Sequence, residues 1–268
     1  MAVPRSHAVT GARLTVRLVR LAPLALAGAL LAGCGGTGLA SAGLPGEGPT
    51  RTPPGPGVPE PSATGPVDPR PAADLLQAAR TAFAAAPSVH VTGTAVRGGD
   101  SYVVDLRLKG PAGGTATIRT SHGTVDVVRI GDTAWVGGDL AFWRGVSGDD
   151  AAARRSVGSW VKVPARDGNF GEYVAFTSPD AVAALLPDPA RPATVRPTTT
   201  IAGQPAVPVR TGEGATLTVA ATGTAAPLRL DGLSDGQFVL LDFAGYGDPV
   251  PLTAPAGPVV GSGPGGGS

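Results

Sequence analysis

From residue 71 onward the spacing of apolar and polar positions changes along the chain, and each change predicts an element. Leu75, Leu76, Ala79, Ala82, Phe83 and Ala86 recur three to four residues apart, which is the spacing of one helix face. Pro71 suits the first turn of that helix and Asp68 or Asp74 its positive end. Pro87 stops it, because proline has no N–H and disfavours helix at the residue before it. The period then falls to two. Tyr102, Val104, Leu106 and Leu108 alternate with Asp105, Arg107 and Lys109, a strand with one buried face. Strands over 88–97, 100–109, 115–120, 124–130 and 133–137 are separated by the turn signals Gly98-Gly99, Pro111 with Gly113-Gly114, His122-Gly123 and Gly131-Asp132. That rhythm is an antiparallel meander.

The middle of the chain breaks the alternation. Asp149 can cap a short helix reaching Val157, with Gly158 as its stop. A strand over 159–163 follows, and Phe170, Tyr173, Val174 and Phe176 have a loosely helical spacing. Ser178-Pro179-Asp180 reads as an N-cap, a proline in the first turn and an acid at the positive end of a helix that ends at Pro187. Strands return near 194–201, 205–211, 214–221, 227–232 and 236–243. Leu228 and Leu230 alternate with Arg229 and Asp231, whereas Phe238-Val239-Leu240-Leu241-Asp242-Phe243 is apolar at both parities and predicts a strand covered on both faces. The sum is a mainly β, α+β architecture of about eleven antiparallel strands with a helical insert.

Composition sets the limits of that folded region. The 41 Gly and 28 Pro among 268 residues would suit a low-complexity chain if spread evenly, but they crowd the flanks. Residues 34–70 are nearly half Gly and Pro and read as a disordered tether; 249–268, ending GSGPGGGS, reads as a disordered tail. Residues 71–248 are left as one domain, long enough to bury about 70% of its unfolded surface.

The N-terminus reads as an address. Residues 1–20 carry Arg5, Arg13, Arg17 and Arg20 and no acid, and 21–32 are an apolar run too short to span a bilayer as a helix. The run ends in Leu31-Ala32-Gly33-Cys34, which resembles the bacterial lipobox. That resemblance implies a signal peptide over 1–33, with Cys34 lipidated as the first mature residue. Two or three acyl chains would hold it on the extracytoplasmic face of the cell membrane, since each buried methylene contributes about 0.8 kcal/mol. Without residues 1–33 the net charge of +1 becomes −3, from 17 basic and 20 acidic residues, so nucleic acid is not an expected partner.

Catalytic and metal chemistry has little to stand on. Cys34 is the single cysteine, and His90 and His122 have no ligand-type neighbours at helical spacing. No nucleophile elbow, phosphate-binding glycine loop or His-Glu-x-x-His occurs. Asp149-Asp150 suit a helix start better than a carboxylate pair, and Arg154-Arg155 a solvated helix face. No cofactor, no metal and no enzymatic activity are expected.

Several segments taken together resemble a known family. After the lipobox and tether come S-V-H-V-T-G at 88–93, V-R-I-G-D-T-A-W-V at 128–136, A-F-W-R at 141–144 and G-S-W-V-K-V-P at 158–164. T-S-P-D-A-V-A-A-L-L at 177–186, T-I-A-G-Q-P-A-V-P-V at 200–209 and G-Q-F-V-L-L-D-F at 236–243 follow. This pattern is similar to the actinobacterial LppX/LprA/LprF/LprG lipoproteins, which belong with the carriers LolA and LolB. The resemblance implies a strongly curved antiparallel half-barrel with helices on its concave face. It also implies a monomer that binds acylated lipid or glycolipid in an apolar cavity for transport or presentation across the envelope, with a membrane transporter as one implied partner.

Apolar residues on the concave side of such a sheet, or on its insert helices, are the cavity candidates. They are Tyr102, Val104, Leu106, Trp135, Phe142, Trp143, Trp160, Phe170, Tyr173, Phe176, Leu185, Leu186, Phe238, Leu240 and Phe243. Two other readings stay open. One is an envelope interaction or sensor module with a closed core, marked by a filled concave face and a separate exposed apolar patch. The other is a hydrolase with an unfamiliar motif, marked by a polar cleft with shifted carboxylates.

Overall fold

The computed structural model describes residues 65–234 and 236–261. Within them the chain opens with α1 (Ala72–Ala85), followed by the meander β1 (Val89–Arg97), β2 (Asp100–Lys109), β3 (Gly113–Thr120), β4 (Gly123–Ile130) and β5 (Thr133–Gly138). The insert holds α2 (Leu140–Ser147), α3 (Asp150–Ser156), β6 (Trp160–Pro164), α4 (Gly171–Ala175) and α5 (Pro179–Ala184). Then come β7 (Ala193–Val195), β8 (Thr199–Ile201), β9 (Gln204–Thr211), β10 (Thr216–Ala220), β11 (Pro227–Ser234), β12 (Gln237–Ala244) and β13 (Val259–Gly261). The strands form one curved, unclosed sheet in the order β13-β6-β5-β4-β3-β2-β1-β12-β11-β10-β9-β7, with β8 also paired to β9. All pairings are antiparallel except β13 with β6. The half-barrel expected from the sequence is the fold observed.

Register explains which face is buried. One row across the sheet runs Phe243, Val91, Leu106, Ala116, Val127, Val136, Val161. The next runs Val209, Leu217, Leu230, Leu241, Gly93, Val104, Ile118, Val125. Nearly every side chain in these rows is buried, and each large one contributes about 1.5–3 kcal/mol. Gly93 sits in the second row with φ +146, and a Cβ there would run into the Leu240 carbonyl. A glycine is what lets β12 lie flat against β1. The other face carries His90, Thr92, Asp105, Arg107 and Asp242; His90 Nε2 lies 2.8 Å from Asp105, and Arg229 donates to Asp242 at 2.6 Å.

Helices α1, α2 and α4 pack on the buried face. α1 presents Leu75, Leu76, Ala79 and Phe83 to it and covers β9, β10 and β11. α2 and α4 cover β4 at the other side of the sheet. Asp139 starts α2, accepting the Phe142 N–H at 2.9 Å with one oxygen and the Thr124 N–H of β4 at 2.8 Å with the other.

Several sequence expectations need correction. The segment 194–201 is two strands, because Pro197 interrupts pairing to β9. α2 had no expected counterpart. Ser178 precedes α5 but makes no side-chain cap bond. Among the described residues β12 is covered on one face only: Val239, Leu241 and Phe243 are buried, whereas Phe238 and Leu240 are exposed. The tail expected from Pro249 contributes Val259–Gly261 to the sheet beside β6, and the Trp160 N–H donates to the Pro258 carbonyl at 2.8 Å. At the other end Arg70 reaches the Ala221 carbonyl at 3.1 Å and Val67 bridges to Pro197, so the fold begins before residue 71. The expectations for Cys34, the signal peptide and most of the tether fall outside the described residues.

Candidate functional site

The buried face is filled unevenly. Under α1, Phe83 meets Phe243 edge-on with ring centroids 5.9 Å apart, and Leu75 and Leu76 are fully enclosed. Under the insert, Phe142, Trp143, Phe170 and Tyr173 form an aromatic cluster with centroid separations of 4.9–6.4 Å. Trp143 Nε1 is buried there with no hydrogen-bond partner.

Two clefts lie on either side of α4 and share Glu172. One, of about 510 Å³, is walled by Tyr102, Phe176, Val182, Leu185, Ala175 and Ala181, with Arg97, Gly98 and Gln237 at the strand ends. Tyr102 and Phe176 stack obliquely at 5.7 Å. The other, of about 940 Å³, is wider and more polar, lined by His122, Asn169, Glu172 and Tyr173 along with Phe142, Val146 and Phe170. Burial, and behind it the Glu172 carboxylate, pushes the Tyr173 hydroxyl up to about 12; the Tyr102 hydroxyl is raised by the same two causes. Both phenols therefore stay neutral at physiological pH. A third cleft of about 500 Å³, beyond Leu186, is lined by Arg80, Asp188, Arg191 and Glu213; Arg80 donates to the Leu186 carbonyl and Arg191 pairs with Glu213. Ser234 Oγ donates to the Leu185 carbonyl at 2.6 Å and ties α5 to the end of β11.

The fifteen cavity candidates separate into groups. Tyr102, Phe176 and Leu185 line the apolar cleft; Phe142, Phe170 and Tyr173 line its wider neighbour; Leu186 lines the third. Val104, Leu106 and Phe243 are buried in the inner face, and Trp143 is buried within the aromatic cluster. Trp135, Trp160, Phe238 and Leu240 are on the outer face and are corrected accordingly. Trp135 pairs in register with Lys162, whose ammonium sits 5.8 Å from the ring centroid. Trp160 covers Gly137 and Gly257 on the same side. Phe238 and Leu240 alternate with the buried Val239 and Leu241. The cleft residues that sequence reasoning missed are small or polar. Ala175, Ala181 and Val182 carried a signal as the short side chains of the insert helices; Arg97 and Gln237 carried none beyond adjoining hairpin turns.

The other candidate chemistry has structural roles. Asp149 accepts the Ala151 and Ala152 N–H groups at the start of α3, and these bonds hold its carboxyl below the usual range. Asp150 pairs with Arg144 and Arg154. Among the described residues no three His, Cys, Asp or Glu side chains gather as a metal site, and no helix is long and apolar enough to cross a membrane.

Comparison with protein-family models and with curated proteins gives no match. Similar solved structures include LprF from Mycobacterium bovis, at 19% identity over 72% of this chain and 100% of that one, with a TM-score of 0.44. The Mycobacterium tuberculosis lipoprotein LppX is 13% identical over 68% of this chain and 98% of that one, also with a TM-score of 0.44. A chain of the Pseudomonas aeruginosa MucA/MucB complex is 18% identical over 70% of this chain and 63% of that one, with a TM-score of 0.34. The first two belong to the lipoprotein family that the sequence resembles.

Proposed function

We propose that this chain is a lipid-anchored envelope protein that binds an acylated lipid or glycolipid between its sheet and its insert helices, for transport or presentation at the extracytoplasmic side of the membrane. The observation that carries this is the apolar cleft of about 510 Å³ walled by Tyr102, Ala175, Phe176, Val182 and Leu185. Its size falls in the range of small-ligand sites, about 300–1,000 Å³. An acyl chain gains about 0.8 kcal/mol for every methylene taken out of water, so a groove of this kind needs no charged anchor to hold one. The wider cleft across α4, with His122, Asn169 and Glu172, offers polar partners for a head group. Cys34 supplies the anchor.

The closed-core reading has one observation in its favour: the apolar stripe of α1 is fully buried against the inner face, and apolar side chains stand exposed on the outer face. One experiment separates the two. Residues 34–268 with Cys34→Ser, exported from an actinobacterial host, are measured by native mass spectrometry before and after organic extraction. Lipid binding predicts an extractable mass of one acylated molecule per chain. A clean protein mass, with no uptake of offered lipids, excludes the carrier reading and leaves the interaction module.

A further inference from the structure

The middle rows of the outer face are polar, and an apolar stretch stands at one end of β11, β12, β1 and β2, apart from Trp135 and Trp160 on the far strands. There Leu233 of β11, Phe238 of β12 and Val96 of β1 lie side by side in register. In the adjacent row Leu240 and Val103 flank Thr94. Phe238 is 55% exposed, Leu233 48%, Leu240 and Val103 42% each. One row further along, Arg229, Asp242, Thr92 and Asp105 restore the polar surface. The apolar stretch is thus confined to the strand ends around the Gly98-Gly99 turn and Gly236, where no other atom crowds the backbone.

The same strand ends form the mouth of the apolar cleft. Arg97, Gly98, Tyr102 and Gln237 line it, and each is a neighbour in sequence of an outer-face residue or turn just named. Cleft mouth and apolar patch are therefore back to back across a single thickness of sheet, on one shared rim. Arg97 and Arg119 stand exposed beside the patch, as do Asp100 and Asp231.

We propose that this rim docks on a phospholipid bilayer, with Phe238 and Leu240 entering the headgroup–acyl boundary, so that a lipid moves between the bilayer and the cleft without crossing water. The proposal rests on the lipid-binding reading given above. Three observations favour a bilayer over a protein. Five apolar side chains fall far short of the roughly 20–30 residues a side in a stable protein interface. The outside of a curved sheet meets a rigid partner over a narrow strip, whereas lipid conforms to it. The patch is also continuous with the cleft mouth, where a protein partner would block entry and a bilayer would supply the ligand. Shallow insertion of a few apolar side chains binds in proportion to the area buried.

The test uses residues 34–268 with Cys34→Ser, so that no acyl anchor contributes, and vesicles of equal parts phosphatidylglycerol and phosphatidylethanolamine. The protein is expected to float with vesicles. Phe238→Ser/Leu240→Ser is expected to bind at least about tenfold more weakly while keeping its melting temperature. Val157→Ser/Val260→Ser, which changes exposed apolar residues elsewhere and outside the clefts, is expected to float unchanged. Phe238→Trp is expected to add emission that shifts to the blue on vesicles. Equal flotation of the Phe238/Leu240 variant overturns the proposal, as does a wild-type protein that does not float or a dimer that this variant dissolves. Flotation that depends on Phe238 and Leu240 in a protein without extractable lipid upholds the docking rim and removes the lipid-binding reading, so the two fail separately.

Discussion

The two halves of the inner face are built from the same kind of strand and are covered differently. Over β9–β11 lies one helix of 14 residues with no glycine, whose stripe of Leu75, Leu76, Ala79 and Phe83 is fully buried, and the cleft beside it is lined by its polar Gln77 and Arg80. Over β4 and β5 lie α2 and α4, of 8 and 5 residues, with α3 (7 residues) packed on α2 and α5 (6 residues) against α1, and Gly145, Gly148, Gly158, Gly168 and Gly171 interrupt this stretch. The clefts on either side of α4 are found on this side. The difference shows that the sheet does not decide whether its concave face is open. A continuous apolar stripe fills it, whereas short segments, each of about two turns or fewer, leave space between them. One half is scaffold and the other is where the chain can hold a ligand.

Substitutions sharpen that contrast, beginning with the scaffold half. Phe83→Ala removes the edge-on partner of Phe243 from a filled region and is expected to cost about 3–5 kcal/mol, read as a shift in the urea midpoint. A cost below about 1 kcal/mol would mean that the α1 side is as loosely packed as the other.

Asp139→Ala, at the start of the insert, is expected to cost about 1 kcal/mol. Burial alone would raise the Asp139 carboxyl; the N–H groups of Phe142, Thr124 and Ala141 outweigh it and leave its pKa below the ordinary value. A carboxyl depressed in the folded state stabilises above its unfolded pKa of about 3.9, and that contribution disappears as pH falls through the folded value. The variant should therefore differ from the parent at pH 7 and converge with it in strong acid. A constant gap across that range would assign the loss to packing.

Trp143→Phe takes away an indole N–H that has no partner, along with some ring volume. The two effects oppose each other, so stability should change by less than about 1 kcal/mol in thermal melts. A large loss would show that the aromatic cluster is as tightly fitted as the α1 side.

The smallest change in stability is expected for Ala175→Trp, within about 0.5 kcal/mol, because Ala175 is exposed at the cleft wall. The indole would occupy the cleft, and bound lipid should fall to a small fraction of the parent level by native mass spectrometry. Unchanged occupancy would move the ligand elsewhere.

How far the sequence could be read depended on contrast between neighbouring positions. In β2 the charges at Asp105, Arg107 and Lys109 left no doubt that Val104, Leu106 and Leu108 point inward, and they do. In β12 both parities are apolar, so alternation carried no information, and Phe238 and Leu240 were placed on the wrong face. β5 misled in another way. Its inward residues are Ala134 and Val136, and its largest side chain, Trp135, faces outward toward Lys162; size was a poor guide to burial where a long cation could cover the ring. Helix α2 was legible in principle, since Asp139 as cap and Gly148 as stop bracket it, with Gly148 left-handed at φ 65. Its eight residues gave too short a stripe to stand out. The clefts were the least legible feature, because they arise where Ala175, Ala181 and the ends of distant strands meet, and no local pattern encodes that meeting.

The most direct test of the account is photo-crosslinking with a fatty acid carrying a diazirine on its chain, bound to the anchorless protein and mapped by mass spectrometry. Adducts on residues 97–102 and 172–185, with none on α1, are the predicted result. Adducts concentrated on Leu75, Leu76 or Phe83, or labelling spread evenly over the outer face, would contradict it.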